Sequence, residues 1–193
     1  MLYQFHELNR TMLSPLIQWA EASAKLFTNP VSPLAHTPFA QRIAAGYELM
    51  YRLGKDYEKP EFGIKTVPVE GKSVCVFEEV AKEKPFCRLI HFKKDLSEFP
   101  DLKQPTVLLV APLSGHHSTL LRETVRSLLS KHDVYITDWT DARMVPVADG
   151  PFHLSDYVYY VQEFIRRLGP DVHVISVCQP TVPVLAAISL MAT

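Results

Sequence analysis

The run Thr106-Val-Leu-Leu-Val-Ala111 constrains this chain more than any other segment. It is apolar or β-branched throughout, without the alternation of a half-exposed strand, so it reads as a strand covered on both faces. Such a strand needs helices above and below its sheet, and the residues that follow supply them. Ser118–His132 places Leu121, Val125, Leu128 and Leu129 on one helical side, and Asp133-Val-Tyr-Ile-Thr-Asp138 is a second strand. Tyr157, Val158, Val161, Phe164, Ile165 and Leu168 mark another amphipathic helix, closed by Gly169-Pro170. Val172-His-Val-Ile-Ser-Val177 is a third strand, and a helix restarts from Pro180. This alternation predicts an α/β domain on a mostly parallel sheet.

Upstream the pattern changes. Phe62–Val67 and Ser73–Val80 read as strands split by Glu70-Gly71-Lys72, and Phe86–Phe92 follows the charged turn Lys82-Glu83-Lys84-Pro85. Together they form an antiparallel lead-in. The polar stretch Lys93–Pro105 is a connecting loop. Further upstream, Ser14-Pro15 is a helix-start signal followed by Leu16, Ala20, Ala24 and Phe27, and Asn29-Pro30 is a stop. Thr37-Pro38 repeats the start, with Phe39, Ile43 and Tyr47 on one face and Gly54 as terminator. The expected organisation is a helical segment over residues 1–60 and an α/β domain over residues 61–193. The helices are amphipathic, and packing on a core or in a homo-oligomer is expected ahead of contact with an apolar surface.

Composition removes several function classes. A net charge of −1 gives no electrostatic footprint for nucleic acid or an anionic membrane. The longest mostly apolar stretch, near Val182–Ala192, falls short of the roughly 18–20 residues that a membrane span needs. The amino terminus lacks the charged-then-apolar pattern of a signal peptide, so a cytoplasmic location is expected. The seven glycines never fall two apart, which excludes the Gly-x-Gly-x-x-Gly turn of a dinucleotide site, and no phosphate-cradling loop is present. No cofactor is expected. Three cysteines, at 75, 87 and 178, match neither a disulfide framework nor a metal-ligand spacing. Cys75 and Cys87 are expected to be reduced and buried as small apolar groups.

Cys178 is different because of its surroundings. Val174-Ile-Ser-Val-Cys-Gln-Pro-Thr-Val-Pro-Val184 reads as strand, sharp turn, helix, the context in which a nucleophile sits above a sheet. Ser176 is compact enough for the close approach of strand and helix two residues before Cys178. Pro180 fits the first helical turn, where a missing N–H has no intrahelical partner anyway. Gln179 keeps its N–H, which at this position donates to an oxyanion. A thiol at a helix amino terminus also has its thiolate favoured. The bland alternative is a small residue that ends a strand. The loop after the first strand, Pro112-Leu-Ser-Gly-His-His117, lies where the second oxyanion donor belongs, with the N–H of Leu113 or Ser114 as candidates. His116 and His117 lack a third ligand at metal spacing, so no metal is expected. Asp138 and Arg143, at the end of the middle strand, suit structural hydrogen bonding.

Thr137-Asp-Trp-Thr-Asp-Ala-Arg-Met-Val-Pro146, Phe152-His-Leu-Ser-Asp-Tyr157, Phe164-Ile-Arg-Arg-Leu-Gly-Pro170 and the Cys178-Gln-Pro turn resemble the intracellular polyhydroxyalkanoate (polyhydroxybutyrate) depolymerases. The resemblance extends over the whole chain. It implies an α/β-hydrolase-like fold with a cysteine–aspartate–histidine triad, cleaving esters of stored polyester at cytoplasmic granules, with the granule polymer as partner. Of that triad it places only the nucleophile here, on Cys178. The aspartate and histidine are expected on later strands, beyond a chain truncated after the elbow and expected to be inactive alone. His116 and His117 are the histidines at a strand end, and so the candidates for a substitute base. Two rivals stand beside hydrolysis: a polyhydroxyalkanoate synthase-like acyltransferase, against which Ser176 and Pro180 count, and a non-catalytic granule-binding remnant.

Overall fold

Glu70 and Gly71 both take positive φ, 48° and 80°, as a two-residue hairpin turn of the type I′ kind requires. The chain therefore doubles back between β1 (Thr66–Val69) and β2 (Lys72–Lys84). A second tight turn, Pro85-Phe86, joins β2 to β3 (Cys87–Lys94), with Lys84 opposite Cys87. In this computed structural model residues 2–29, 31, 37–54, 59–113 and 117–192 are described. They form two compact units, residues 1–58 and 59–193.

The larger unit is a mixed α/β layer structure. Its six-stranded sheet has the order β1-β2-β3-β5-β4-β6, with β4 (Thr106–Val110), β5 (Asp133–Trp139) and β6 (Val172–Ser176). β4 runs parallel to β5 and to β6, whereas β1–β2, β2–β3 and β3–β5 are antiparallel. The mostly parallel sheet expected from the sequence is thus a mixed one, with parallel pairing confined to β5-β4-β6. Two-residue turns can join only antiparallel neighbours, which accounts for β1–β2 and β2–β3, and the hairpin edge β3 then docks antiparallel on β5. β1 starts at Thr66 rather than Phe62, although Phe62 and Ile64 are still buried in the core. β2 runs on through Lys82-Glu83-Lys84, where a turn was expected; there Lys84 pairs with Glu163 and stands over the Tyr160 ring at 4.0 Å.

Leu108 and Leu109 are both fully buried, on opposite faces of the sheet. On one face Leu109, Val134 and Ile136 meet Val125 and Leu129 of α3 (Arg122–Leu129). On the other, Leu89, Leu108 and Val110 meet Tyr157, Val161 and Phe164 of α4 (Leu154–Leu168) and Val184 and Ala187 of α5 (Thr181–Met191). Each such leucine contributes about 1.5–3 kcal/mol of hydrophobic stabilisation. The chain leaves β4 toward α3 and leaves β6, its neighbour, toward α5 on the opposite face. Between two adjacent strands whose exits diverge in this way a crevice opens at their carboxyl ends.

The smaller unit contains α1 (Leu2–Thr28) and α2 (Pro38–Gly54). Trp19 meets Tyr47 edge to face at 5.2 Å, and Phe27 stacks on Tyr47 at 6.3 Å. Thr37 caps α2 by accepting from the Ala40 N–H at 3.2 Å. Ser14-Pro15 is not a start: α1 runs through Pro15, because the helical spacing of Leu8, Met12, Leu16 and Trp19 continues unbroken across it. Those four side chains are more than half exposed. Among the described residues no helix is long and apolar enough to cross a membrane.

Lys94 ties the end of α3 to the sheet. It is 8% exposed, and its Nζ donates to the Leu129 and His132 carbonyls at 2.7 and 2.5 Å and to the Gln104 side chain. Burial pulls its amine down to about 8. Lys94→Met keeps the stem but leaves these acceptors without a donor, and urea unfolding should show a loss of about 1–3 kcal/mol. An unchanged midpoint would mean that the carbonyls are solvated in the variant.

Candidate active site

Cys178 has φ +67°. A side chain held at positive φ costs on the order of 1–3 kcal/mol and persists only where its neighbours over-determine it. Here they do. The preceding Val177 N–H donates to the Val110 carbonyl at 3.4 Å, which keeps the end of β6 on β4. The Cys178 carbonyl accepts from the Thr181 N–H at 3.2 Å and from the Thr181 hydroxyl at 2.7 Å. Pro180, buried with φ −61° and ψ −12°, leads directly into α5, and its carbonyl accepts the first α5 bond from Val184 at 2.9 Å. Strand, sharp turn and helix therefore follow each other as the sequence indicates, with the thiol residue exposed at the tip.

The loop after β4 reaches the same place. The Leu113 N–H donates to Gln179 Oε1 at 3.0 Å, so the first and third parallel strand ends meet beyond the carboxyl ends of β4 and β6. Among the described residues the Gln179 N–H has no acceptor. Ser114, the other candidate donor, lies outside the described residues, as do Gly115 and His116. Two residues before Leu113, Ala111 is pinned on both sides. Its N–H donates to Thr137 Oγ1 at 2.9 Å, and its carbonyl accepts from Trp139 Nε1 at 2.9 Å and Tyr157 Oη at 3.4 Å. The Trp139 and Tyr157 rings meet edge to face at 4.4 Å. Burial pushes the Tyr157 phenol far above its ordinary range, so it remains a donor. Sequence reasoning missed Thr137, Trp139 and Tyr157 as positioning residues. The available signal was Thr137, a polar side chain at a fully buried strand position.

Asp138 is 2% exposed and accepts from the Ser118 hydroxyl at 2.5 Å, from Arg88 at 2.9 Å and from Lys59. This is the structural bonding role its position suggested. Arg143 pairs with Asp141 at 2.6 Å. Burial raises the Asp138 carboxyl, but the hydrogen bonds from Lys59, Ser118 and Arg88 and the Lys59 charge outweigh it, and the group titrates below its ordinary 3.8. Cys87 is buried as expected, and burial, then the nearby Asp138 charge, pushes its thiol well up. Cys75 is exposed, contrary to expectation, because strand alternation turns Val74 and Val76 inward and Cys75 outward. His117 lines an open cleft of about 600 Å³ with Lys59, Arg88, Trp139 and Asp141, and Cys178 is not among its lining residues. Among the described residues no three His, Cys, Asp or Glu side chains are grouped to hold a metal ion.

Comparison with protein-family models, curated proteins and solved structures gives no match for this chain.

Asp138→Asn removes the charge that Lys59 and Arg88 share. Loss of one partner of a fully buried pair costs about 3–5 kcal/mol. Lys59 and Arg88 are 31% and 43% exposed, so about 2 kcal/mol is expected at pH 7 after solvent screening. The carboxyl titrates lower in the folded state than in the unfolded one, so its contribution is complete above the unfolded value and is lost as pH falls through the folded value. Wild type and variant should therefore converge in stability as pH drops below 3.8. A difference that stays constant down to pH 2 would contradict the charged pairing.

Proposed function

We propose that this chain carries the nucleophile and oxyanion hole of an α/β-hydrolase-type ester hydrolase acting on a hydroxyacyl polyester. The observation that carries the proposal is the Cys178–Gln179 turn, an exposed thiol residue at positive φ beside a backbone N–H without an acceptor among the described residues. The approach of the Leu113 N–H to the same turn supports it, as does the divergence of the chain after β4 and β6. The polymer comes from the resemblance to the polyhydroxyalkanoate depolymerases, as do the granule and its cytoplasmic setting.

In that reaction the Cys178 thiolate attacks the ester carbonyl carbon. A C–S bond forms, and the carbonyl π pair moves to oxygen, giving an oxyanion that the Gln179 and Leu113 N–H groups face. Collapse breaks the C–O bond, and the departing alkoxide takes a proton to become the hydroxyl end of the shortened polymer. Water then attacks the thioester, and the thiolate departs again, leaving the acid. In the family the chain resembles, a histidine paired with an aspartate moves these protons. Among the described residues no histidine is hydrogen-bonded to Cys178.

In the active form of the protein, Cys178→Ala should abolish release of 3-hydroxybutyrate from amorphous polymer while leaving the folded circular-dichroism spectrum unchanged. Gln179→Pro removes one oxyanion donor and should lower the rate about 10²–10³-fold. Hydrolysis that survives Cys178→Ala would overturn the proposal. Polymer growth from a hydroxyacyl coenzyme A thioester, in place of monomer release, would favour the acyltransferase.

A further inference from the structure

Resting on that assignment of Cys178 and its two N–H donors, we propose that the Gln179 side chain plugs the oxyanion hole in the free protein and must be displaced by an acyl substrate. Only an acceptor can face a backbone N–H, so the orientation of the carboxamide is fixed: Oε1 lies toward Leu113, at 3.0 Å. The Leu113 N–H has one proton to give. A substrate oxyanion needs donors at about 2.7–3.1 Å, so it competes with Gln179 Oε1 for this one.

The chemistry of the two acceptors makes the plug removable. Gln179 Oε1 is a neutral amide oxygen, resembling the carbonyl of the incoming ester. A developing oxyanion is a charged acceptor and takes a hydrogen bond roughly twice as strong. Gln179 is exposed, so its side chain has solvent to move into, while its own backbone N–H stays fixed by the turn. One residue therefore acts in two opposed ways: its main chain stabilises the transition state, and its side chain holds the second donor until a substrate arrives. The plug thus makes Gln179 an affinity-determining residue of the site.

The test uses an alkyl trifluoromethyl ketone, which needs neither a general base nor a leaving group. A thiolate adds to its carbonyl carbon, forming a C–S bond as the π pair moves to oxygen, and the resulting oxyanion occupies the hole reversibly. Binding to the 193-residue chain is followed by fluorine resonance in a Cys75→Ser background, so that Cys178 is the exposed thiol among the described residues. Gln179→Ala should bind the ketone about three- to tenfold more tightly, the worth of one neutral hydrogen bond. Its Leu113 amide should exchange faster than in the parent before the ketone is added, and be protected again afterwards. Gln179→Glu should bind at least about tenfold more weakly, because a charged acceptor holds the donor harder and repels the oxyanion. Equal or weaker binding by Gln179→Ala, with the Leu113 amide already deprotected, would overturn the plug and make Gln179 a permanent strut. Absence of any adduct in the parent, or an adduct that persists in Cys178→Ala, would instead sink the assignment of the nucleophile.

Discussion

The backbone angle at Cys178 is the constraint on which the candidate site depends. A positive φ of 67° at a residue with a Cβ is disfavoured locally, so the surrounding bonds must supply what the turn itself does not. Three hydrogen bonds and a proline converge there. Val177 holds the end of β6 to Val110, Thr181 closes the turn onto the Cys178 carbonyl through both its N–H and its hydroxyl, and Pro180 starts α5 at once. At this angle the cysteine is exposed, with the next N–H unclaimed among the described residues.

Another loop arrives beside that turn. β4 lies between β5 and β6, and its exit leads to α3 while the exit of β6 leads to α5 on the other face. The divergence leaves room at the strand ends for the Leu113 N–H and the Gln179 side chain to meet. The β4 exit is held by its neighbours, since Ala111 is bonded through both its N–H and its carbonyl by Thr137, Trp139 and Tyr157. Side chains of β5 and α4 thereby set the approach of a loop that they do not belong to. Asp138, adjacent to Thr137, gathers Ser118, Arg88 and Lys59, and so fixes the residues just beyond that loop as well.

The local patterns of the sequence carried the parallel part of this fold and the turn at Cys178. Thr106–Ala111 announces two-sided burial because both faces of β4 are covered by helices, and Val174–Val184 announces strand, turn and helix because proline cannot extend the first and suits the last. The antiparallel pairing of β3 with β5 was not legible, because it depends on where a hairpin edge docks, and no periodicity encodes docking. Cys75 was misjudged for a related reason. Its side of β2 is set by register, and a one-residue difference in register exchanges the two faces. Pro15 looked like a helix start because the signal is local, whereas the apolar stripe through Leu8, Met12, Leu16 and Trp19 spans it. The Leu113–Gln179 bond joins residues 66 apart in sequence, and neither residue type hints at the other.

An ester and an alkyl halide separate the central claim from simple thiol exposure. Attack on an ester develops an oxyanion that the two N–H groups can hold, whereas alkylation by iodoacetamide develops none. Cys75, exposed on the antiparallel side of the same sheet, serves as the internal standard. The measurement is the ratio of modification rates, Cys178 to Cys75, with p-nitrophenyl acetate and with iodoacetamide, read by peptide mass spectrometry. If Cys178 is a nucleophile beside an oxyanion hole, the ratio for the ester should exceed that for the halide by about 10²-fold. The same ratio for both reagents would mean that Cys178 is only an exposed thiol, and that the strained turn serves no acyl transfer.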